Sequence, residues 1–476
     1  MNLPKIVQGG MGVHISTPFL AKKCSLSGRG LGTVSGVGAE HWVSRILQLG
    51  DPGDHYRRAL AHFPFQEVSE RIITKYFVEG GIPAGQRFKV VSAFNLQPSQ
   101  NLVELAVAAS FALVWLAKEG HTKPVSVNYL EKIQMPLLSD ITGAMLAGVD
   151  FVTMGAGITL QIPGVLDAIA SGGIPSYRVS VGGNGDGTET ISFDPSAFFG
   201  VKFSELKLKR PGFLPIVSTD TLARIMVGKL PQGSIQGFIV ELPTAGGHNA
   251  PPRKKGNFDE SGQPIYGPRD EVNFKGIRDL GIPFWIGGGF ASPEGLAQAQ
   301  ALGAVGIQTG SIFALCEDSG MKPSLSSKIR RLGFRGELVI YTDAQASPTG
   351  YPFKVASVAG TLSDPVVYHD RKRKCEPSML RVPYKREDGT IVFRCPSELV
   401  SDYERKGGKR EDTVGRKCIC CGLFAAAGLG NPLEPAIITM GDDVSFLPHL
   451  MKKETGSYTA TDAIAYLLQT QKPNAL

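Results

Sequence analysis

The sequence has few of the features that mark secreted or membrane proteins. The first ten residues, MNLPKIVQGG, contain no apolar run of the kind found in secretory signals, so the sequence predicts none. The longest apolar run, Ala106 to Ala117, also includes Ser110. It is shorter than the roughly 20 residues that a membrane-spanning helix needs. We therefore interpret it as a buried helix and expect no membrane contact.

The sequence also lacks a large net charge. The formal net charge is +7 over 476 residues, which is mild for this length. No basic helix with interleaved aromatic residues is present, although that pattern is typical of nucleic-acid-binding surfaces. We interpret the short basic segments Arg371–Lys374 and Lys406–Arg410 as solvated loops. The sequence thus predicts no nucleic-acid partner.

The chain has only seven cysteines, an odd number without a secretory signal, which favours a reducing, cytoplasmic location. A structural zinc site usually contains C-x₂-C pairs. The five cysteines late in the chain instead form one C-x-C-C run and two isolated residues. We therefore expect free thiols or one disulfide and no metal. No cysteine has an identifiable histidine partner that would make it a nucleophile. These late cysteines are Cys375, Cys395, Cys418, Cys420 and Cys421.

What the sequence does contain is typical of a large globular α/β protein. Hydrophobic residues make up 42% and charged residues 20%, and the 58 glycines suit many strand-to-helix turns. Apolar strand-like segments alternate with helical ones, which predicts a parallel sheet closed into a TIM (β/α)₈ barrel. The eight predicted barrel strands are Lys5–Gln8, Leu31–Ser35, Val125–Leu130, Phe151–Gly155, Leu214–Ser218, Gly237–Glu241, Pro283–Gly287 and Val305–Thr309.

Two further strand-like pieces compete for places in the barrel. One is Phe88–Leu96. The other is a predicted hairpin, Tyr177–Gly182 and Thr188–Phe193 joined by Asn184-Gly185, which we place outside the barrel. The barrel is thus predicted to occupy residues 1–345, with insertions at about 36–124 and 182–211. Residues 346–476, which contain the late cysteines, are predicted to form a C-terminal region packed on the barrel.

The seventh βα unit has the clearest local signals. Ser292 and Pro293 provide a helix N-cap and a first-turn proline, and the helix EGLAQAQAL ends at Gly303. Loops seven and eight of such barrels commonly bind phosphate through backbone amides. The amides expected to do so belong to Gly288, Gly289, Gly310 and Ser311.

The segment with the strongest chemical signal is GFIVELPTAGGHNA, residues 237–250. An apolar strand ends in two glycines and then presents His248, which is the layout of a catalytic strand end in a barrel enzyme. Glycines allow close approach of a flat ligand, and an imidazole can exchange a proton near neutral pH. From the residues alone, His248 is either a catalytic base or a loop-capping histidine.

Six short motifs follow one another at barrel spacing: QGGMG at 8–12, LGT at 31–33, VNYLEKIQ at 127–134, AGGHN at 245–249, GGG at 287–289 and QTGSIF at 308–313. A seventh, SPTG at Ser347–Gly350, lies beyond the barrel. Together these motifs resemble the nitronate monooxygenase (2-nitropropane dioxygenase) family. The resemblance covers the barrel and implies one non-covalent FMN at the carboxyl ends of the strands.

The resemblance implies a role for each matching residue. His248 corresponds to the family's catalytic histidine, and Asn128, preferred over its rival Asn95 in SAFNLQP, to a flavin-ring contact. Glu241 stands where the family usually has glutamine, which puts simple nitronate chemistry in doubt unless the carboxylate is protonated or paired. The remaining cofactor contacts are expected from Gly9, Gly10, Met11, Ala245, Gly246, Gly247, Gly288, Gly289, Gln308, Thr309, Gly310 and Ser311.

The expected activity is FMN-dependent oxidation of a nitronate or similar carbanion by dioxygen. Two alternatives stay open. One is a flavin enoyl-thioester reductase of fatty-acid or polyketide synthesis, and the other is a non-catalytic flavin-binding partner protein. Arg253, Lys254 and Lys255 follow His248 and are either solvated charges or an anchor for an anionic thioester carrier, CoA or acyl carrier protein. We choose Arg253 as the substrate-binding candidate; the oligomeric state, a homodimer among the options, stays open.

Overall fold

The computed structural model describes residues 3–183, 187–254 and 256–469. Its strands are β1 (Ile6–Gln8), β2 (Gly30–Ser35), β3 (Val125–Leu130), β4 (Phe151–Gly155), β5 (Ser176–Gly183), β6 (Gly187–Ser192), β7 (Gly212–Val217), β8 (Phe238–Glu241), β9 (Phe284–Gly287), β10 (Gly306–Thr309), β11 (Ile340–Asp343), β12 (Phe353–Ala356), β13 (Val382–Lys385) and β14 (Ile391–Arg394).

The first nine α-helices cover the insertions and the first half of the barrel. They are α1 (Pro18–Leu26), α2 (Ala39–Gln48), α3 (His55–Leu60), α4 (Gln66–Tyr76), α5 (Gln100–Lys118), α6 (Leu137–Leu146), α7 (Ile162–Ala170), α8 (Pro195–Phe199) and α9 (Asp220–Lys229). The others are α10 (Phe274–Arg278), α11 (Pro293–Ala301), α12 (Ser311–Ala314), α13 (Pro323–Phe334), α14 (Pro365–Asp370), α15 (Val400–Arg405), α16 (Ile419–Ala426), α17 (Leu447–Leu450) and α18 (Ala460–Leu467).

Eight strands close into a barrel in the order β1, β2, β3, β4, β7, β8, β9, β10. Every neighbouring pair is parallel, and β10 pairs with β1 with Val7 opposite Gln308, which closes the cylinder. The predicted TIM-barrel fold is confirmed, and each predicted barrel strand is present with ends displaced by at most two residues. Inside the barrel, Val7, Leu31, Leu214, Ile239 and Trp285 form a separate apolar cluster.

The first insertion is helical. Its last helix, α5, contains the apolar run seen in the sequence but extends over 19 residues, and among the described residues it alone is long and apolar enough to cross a membrane. The most apolar window of α5 is 83% buried inside the protein, where α5 packs against α1, α2, α3 and α6. The interpretation as a buried helix is confirmed, although the helix is longer than the run.

The strand considered at Phe88–Leu96 is not formed, and this segment has no regular structure. Its first two amides donate to distant side chains instead of a neighbouring strand. The amide of Phe88 donates to Oδ1 of Asn431 at 3.0 Å, and the amide of Lys89 donates to Oε1 of Gln48 at 2.6 Å. Side chains therefore satisfy these two donors, which a sheet would otherwise pair.

A second sheet lies outside the barrel. The predicted hairpin is present as the antiparallel pair β5 and β6, and its expected turn, Asn184-Gly185, lies outside the described residues. The sequence did not predict β13 and β14, which fall in the charged stretch after Arg371. Strand β13 pairs in parallel with β5 and antiparallel with β14, giving the order β14, β13, β5, β6. The C-terminal region is therefore joined to the second insertion by strand pairing.

The C-terminal region packs on the barrel, as predicted. Side chains such as Phe424, Ile438 and Met440 belong to the same buried core as the barrel helices. Hairpin β11–β12 pairs residues on either side of position 345, so the proposed division there stays a sequence-based prediction. The predicted final helix, 461–471, is formed over Ala460–Leu467, and Gln471 lies outside the described residues.

Candidate functional site

A cavity of about 260 Å³ opens at the carboxyl ends of the barrel strands. Its barrel wall is built from the loops that follow β1, β8, β9 and β10, together with the end of β3. Every residue predicted to bind the cofactor, together with the predicted catalytic histidine, lines this cavity. These residues are Gly9, Gly10, Met11, Asn128, Glu241, Ala245, Gly246, Gly247, His248, Gly288, Gly289, Gln308, Thr309, Gly310 and Ser311.

The loop after β1 packs directly against β3. Nδ2 of Asn128 donates to the carbonyl of Gly10 at 3.2 Å, and the Asn128 side chain is 9% exposed. A Cβ at position 10 would lie 2.1 Å from Cβ of Asn128, so only glycine fits. The rival Asn95 is exposed and accepts from the amide of Gln97 in a local turn. The structure thus brings Asn128, and not Asn95, into the cavity.

The glycine pair before the histidine is held by the C-terminal region. The amide of Gly247 donates to Oγ1 of Thr439 at 2.8 Å, and the amide of Lys354 donates to the Gly247 carbonyl at 2.9 Å. A Cβ on Gly246 would lie 2.7 Å from the backbone of Met440. Close backbone packing therefore fixes this loop beside the cavity.

His248 faces the cavity and contacts the SPTG segment. Its Nε2 lies 2.7 Å from Oγ of Ser347, which in turn lies 2.7 Å from Oγ1 of Thr349. The ring packs edge-on against Phe353, with centroids 4.9 Å apart. Burial, aided by the positive charge of Lys132, lowers the pKa of His248 to about 4. The imidazole is thus neutral at pH 7 and held in one orientation, so it can accept a proton.

Glu241 ends β8 at the cavity wall. Burial raises the pKa of its carboxyl from 4.5 to about 8, and among the described residues its side chain has no hydrogen-bond or ion-pair partner. The group is therefore predominantly protonated at neutral pH. A neutral carboxylic acid offers one donor and one acceptor, as a glutamine amide does. This removes the electrostatic objection that the sequence raised against Glu241.

The loops after β9 and β10 have the predicted local structure. Oγ of Ser292 accepts from the amide of Gly295 at 2.9 Å and caps α11, and helix α12 begins at Ser311. Gly288 has a positive φ of 103°, and a Cβ there would lie 2.8 Å from Oγ1 of Thr244. The amides at Gly310 and Ser311 stand at the start of a helix, where backbone donors lack partners within the helix.

Sequence reasoning missed one wall of the cavity. Thr439, Met440, Gly441 and Asp443, from the segment after α16, line it, and the amide of Gly441 donates to Oγ of Ser311 at 2.9 Å. The only signal in the sequence was Gly441 followed by two aspartates after an apolar run. This pattern occurs in many loops. The rest of this wall is apolar and comprises Met379, Leu380, Ile419, Cys420, Leu423, Ile437 and Ile438.

Arg253 does not line the cavity. Its side chain is exposed, and its amide donates to Oδ1 of Asp270 at 2.8 Å. Lys254 is also exposed, and Lys255 lies outside the described residues. The structure therefore does not bring this basic segment together with the other predicted residues, and the role of Arg253 in substrate binding stays a prediction.

Comparison with known structures finds many matches, and three of them are similar in extent. FabK from Thermotoga maritima matches with 16% identity and a TM-score of 0.47, over 98% of this chain and 91% of that chain. A nitroalkane oxidase from Streptomyces ansochromogenes matches with 12% identity and a TM-score of 0.42, over 98% and 94%. The enoyl reductase domain of MlnA, from the macrolactin cluster of Bacillus amyloliquefaciens, matches with 10% identity and a TM-score of 0.45, over 98% and 95%. No family model and no curated protein matches the chain.

Proposed function

We propose that the protein is an FMN-dependent oxidoreductase that oxidises a nitronate or a similar stabilised carbanion with dioxygen. One observation carries the proposal: the residues that the sequence motifs assign to flavin contact, from five separate segments, line a single cavity together with His248. Asn128 and Gly310, from β3 and the loop after β10, both line this cavity at the end of the barrel where such enzymes hold their active sites.

The cavity fits a flat cofactor with a phosphate. Three glycines, Gly10, Gly246 and Gly288, stand where a Cβ would strike neighbouring atoms within 3 Å, so the loops approach as closely as glycine allows. At Gly247, by contrast, a Cβ would meet no protein atom within 4 Å, and this residue lines the cavity with Met11 and Ala245, which suits the face of an aromatic ring system. The amides of Gly310 and Ser311 are donors suited to the phosphate.

The chain's own residues would bind the substrate, orient it and exchange a proton with it. Neutral His248 would accept a proton from an acidic carbon, or orient a substrate that is already an anion. Ser347, which is fully buried, contacts Nε2 of the ring and fixes its orientation. Protonated Glu241 would hydrogen-bond to the cofactor ring without adding a negative charge. The bound flavin would supply the redox chemistry, taking electrons from the substrate and passing them to dioxygen.

The test is the visible spectrum of the purified protein, after reconstitution with FMN if needed, followed by anaerobic mixing with propyl-2-nitronate. We expect one flavin per chain, bleaching by the nitronate, and oxygen uptake on aeration. The His248→Asn variant should keep the flavin and lose turnover of the neutral nitroalkane. A protein that takes up no flavin would contradict the proposal as a whole. If the protein bound flavin but neither NADPH nor the nitronate bleached that flavin, the non-catalytic alternative would be favoured.

The apolar wall favours a second candidate. Leu380, Ile419, Leu423 and Ile437 give one side of the cavity a surface suited to an acyl chain, which points to reduction of an enoyl thioester. The exposed Arg253 would then contact the phosphate of a CoA or carrier-protein arm outside the cavity. NADPH consumption that depends on a crotonyl thioester, without bleaching by the nitronate, would favour this candidate over the first.

A further inference from the structure

We propose that Cys375, Cys418 and Cys421 form a thiolate site for one divalent zinc-type metal ion, completed by a water ligand. Their sulfur atoms all lie within 4.8 Å of one another, and all three cysteines are free of disulfides. A tetrahedral zinc ion with Zn–S distances of about 2.3 Å requires sulfurs about 3.8 Å apart. Small side-chain movements would therefore bring the three sulfurs to binding distance.

The local structure explains how the three thiols meet. Cys418 is the N-cap of α16 and Cys421 lies in its first turn. The two are separated by two residues, the C-x₂-C spacing of structural zinc sites. In the sequence this spacing is obscured because Cys420 lies between the two residues. Cys420 lines the cavity and is not part of the cluster.

The third ligand comes from a distant loop. Cys375 precedes β13, and Sγ of Cys421 donates to the carbonyl of Lys374 at 3.5 Å, which holds the loop against α16. A metal ion that binds the three sulfurs would displace the thiol protons.

The surroundings favour the charge of such a site. Three thiolates and one divalent ion carry a net charge of −1. The positive end of the eight-residue helix α16 and the nearby guanidinium of Arg373, which interacts electrostatically with Cys418, both stabilise a negative charge. Cys375 and Cys418 are partly exposed, so water can reach the fourth position.

The site would have a structural consequence for the cavity. Ile419 and Leu423, on α16, line the cavity wall. A metal that joins α16 to the loop at Cys375 would hold this wall in place. The inference does not depend on the proposed function, because metal binding is measured without flavin or substrate.

The test uses the full-length protein, reduced and freed of metal, titrated with Co²⁺ and separately with Zn²⁺. We expect one Co²⁺ per chain with a strong thiolate-to-cobalt charge-transfer band and the visible bands of tetrahedral cobalt. Zn²⁺ should displace the cobalt and protect three thiols from a thiol reagent. Protein that shows no such band and retains no zinc after expression in zinc-supplemented medium would overturn the proposal.

Single variants test the ligand set. Cys375→Ser, Cys418→Ser and Cys421→Ser should each lower the bound metal from about one per chain to near zero. Cys395→Ser, at a buried cysteine outside the cluster, is the matched control and should retain the metal. Equal loss in the control would overturn the three-ligand assignment. So would a disulfide between Cys375 and either partner in protein isolated with thiols blocked.

Discussion

At the scale of the residue, the neutral state of His248 is the property on which catalysis would depend. Burial lowers its pKa to about 4, so the basic form is present throughout the neutral range. We expect kcat/KM to fall on the acid side only near pH 4. An ordinary histidine would place this fall near pH 6.5. A pH profile measured with a pre-formed anionic substrate and with a neutral one checks this. An acid limb near pH 6.5 for the neutral substrate would contradict it.

Substitution of the histidine separates binding from chemistry. His248→Asn keeps a polar group of similar size, so we expect flavin content to be retained and kcat/KM for a neutral substrate to fall about 10²–10⁴-fold. Ser347→Ala should give a smaller loss, because it removes the 2.7 Å contact that orients the ring but leaves the ring itself. Flavin titration and steady-state rates measure both effects. A variant that loses flavin as well would place His248 in cofactor binding and not in proton transfer.

The raised pKa of Glu241 makes the free energy of unfolding depend on pH with a defined sign. The folded carboxyl has a pKa of about 8 against 4.5 when solvated, so the folded chain keeps a proton that the unfolded chain releases. Its contribution to the free energy of unfolding therefore falls as the pH rises from about 4.5 to about 8. Glu241→Gln should raise stability by about 1–3 kcal/mol at pH 8 and little at pH 4.5.

Thermal unfolding of the ligand-free protein at pH 5, 6.5 and 8 measures this difference. The exposed Glu260 offers a control, since Glu260→Gln should leave the pH dependence of Tm unchanged. If Glu241→Gln gave the same change in Tm at every pH, the carboxyl would not be protonated in the folded protein. Glu241 would then carry a negative charge in the cavity and could not replace a glutamine.

At the scale of the element, the loop after β8 is fixed by its packing against the segment at Met440. Gly246→Ala would place a Cβ 2.7 Å from that backbone, where no side chain can rotate away. We expect the variant to lose about 1–3 kcal/mol of stability and to bind flavin more weakly. Gly228→Ala, in helix α9 with open space around it, is the control and should be neutral or slightly stabilising. Unchanged flavin affinity in Gly246→Ala would contradict the proposed position of the cofactor.

The elements also show which features a sequence can reveal. The barrel strands were predictable because each is a short, largely buried apolar run, and the site loops because their motifs are local. The segment at Phe88–Leu96 could not be assigned, since its backbone partners are Asn431 and Gln48. The contact between His248 and Ser347 joins residues 99 apart in the chain. Such partners are set by tertiary packing, which no local pattern encodes.

At the scale of the whole molecule, the barrel and the C-terminal region share one core and one cavity. The segment after α16 holds the glycine loop through Thr439, and Lys354 on β12 forms an ion pair of 2.6 Å with Asp442. Strand β13 pairs with β5 from the second insertion. Because these contacts lie at the site itself, we infer that neither part keeps the cavity intact without the other.

This predicts one cooperative unfolding transition, and the chain carries separate probes for its two parts. Trp42, Trp115 and Trp285 all lie before position 345, so tryptophan fluorescence reports on the barrel. Cys395 and Cys420 are buried thiols of the C-terminal region, and their reaction with a thiol reagent reports its opening. We expect both signals to change at the same urea concentration, because loss of either part exposes the apolar wall of the cavity to water. Labelling of Cys395 and Cys420, identified in the modified peptides, that appears well before the fluorescence change would show that the C-terminal region opens independently of the barrel.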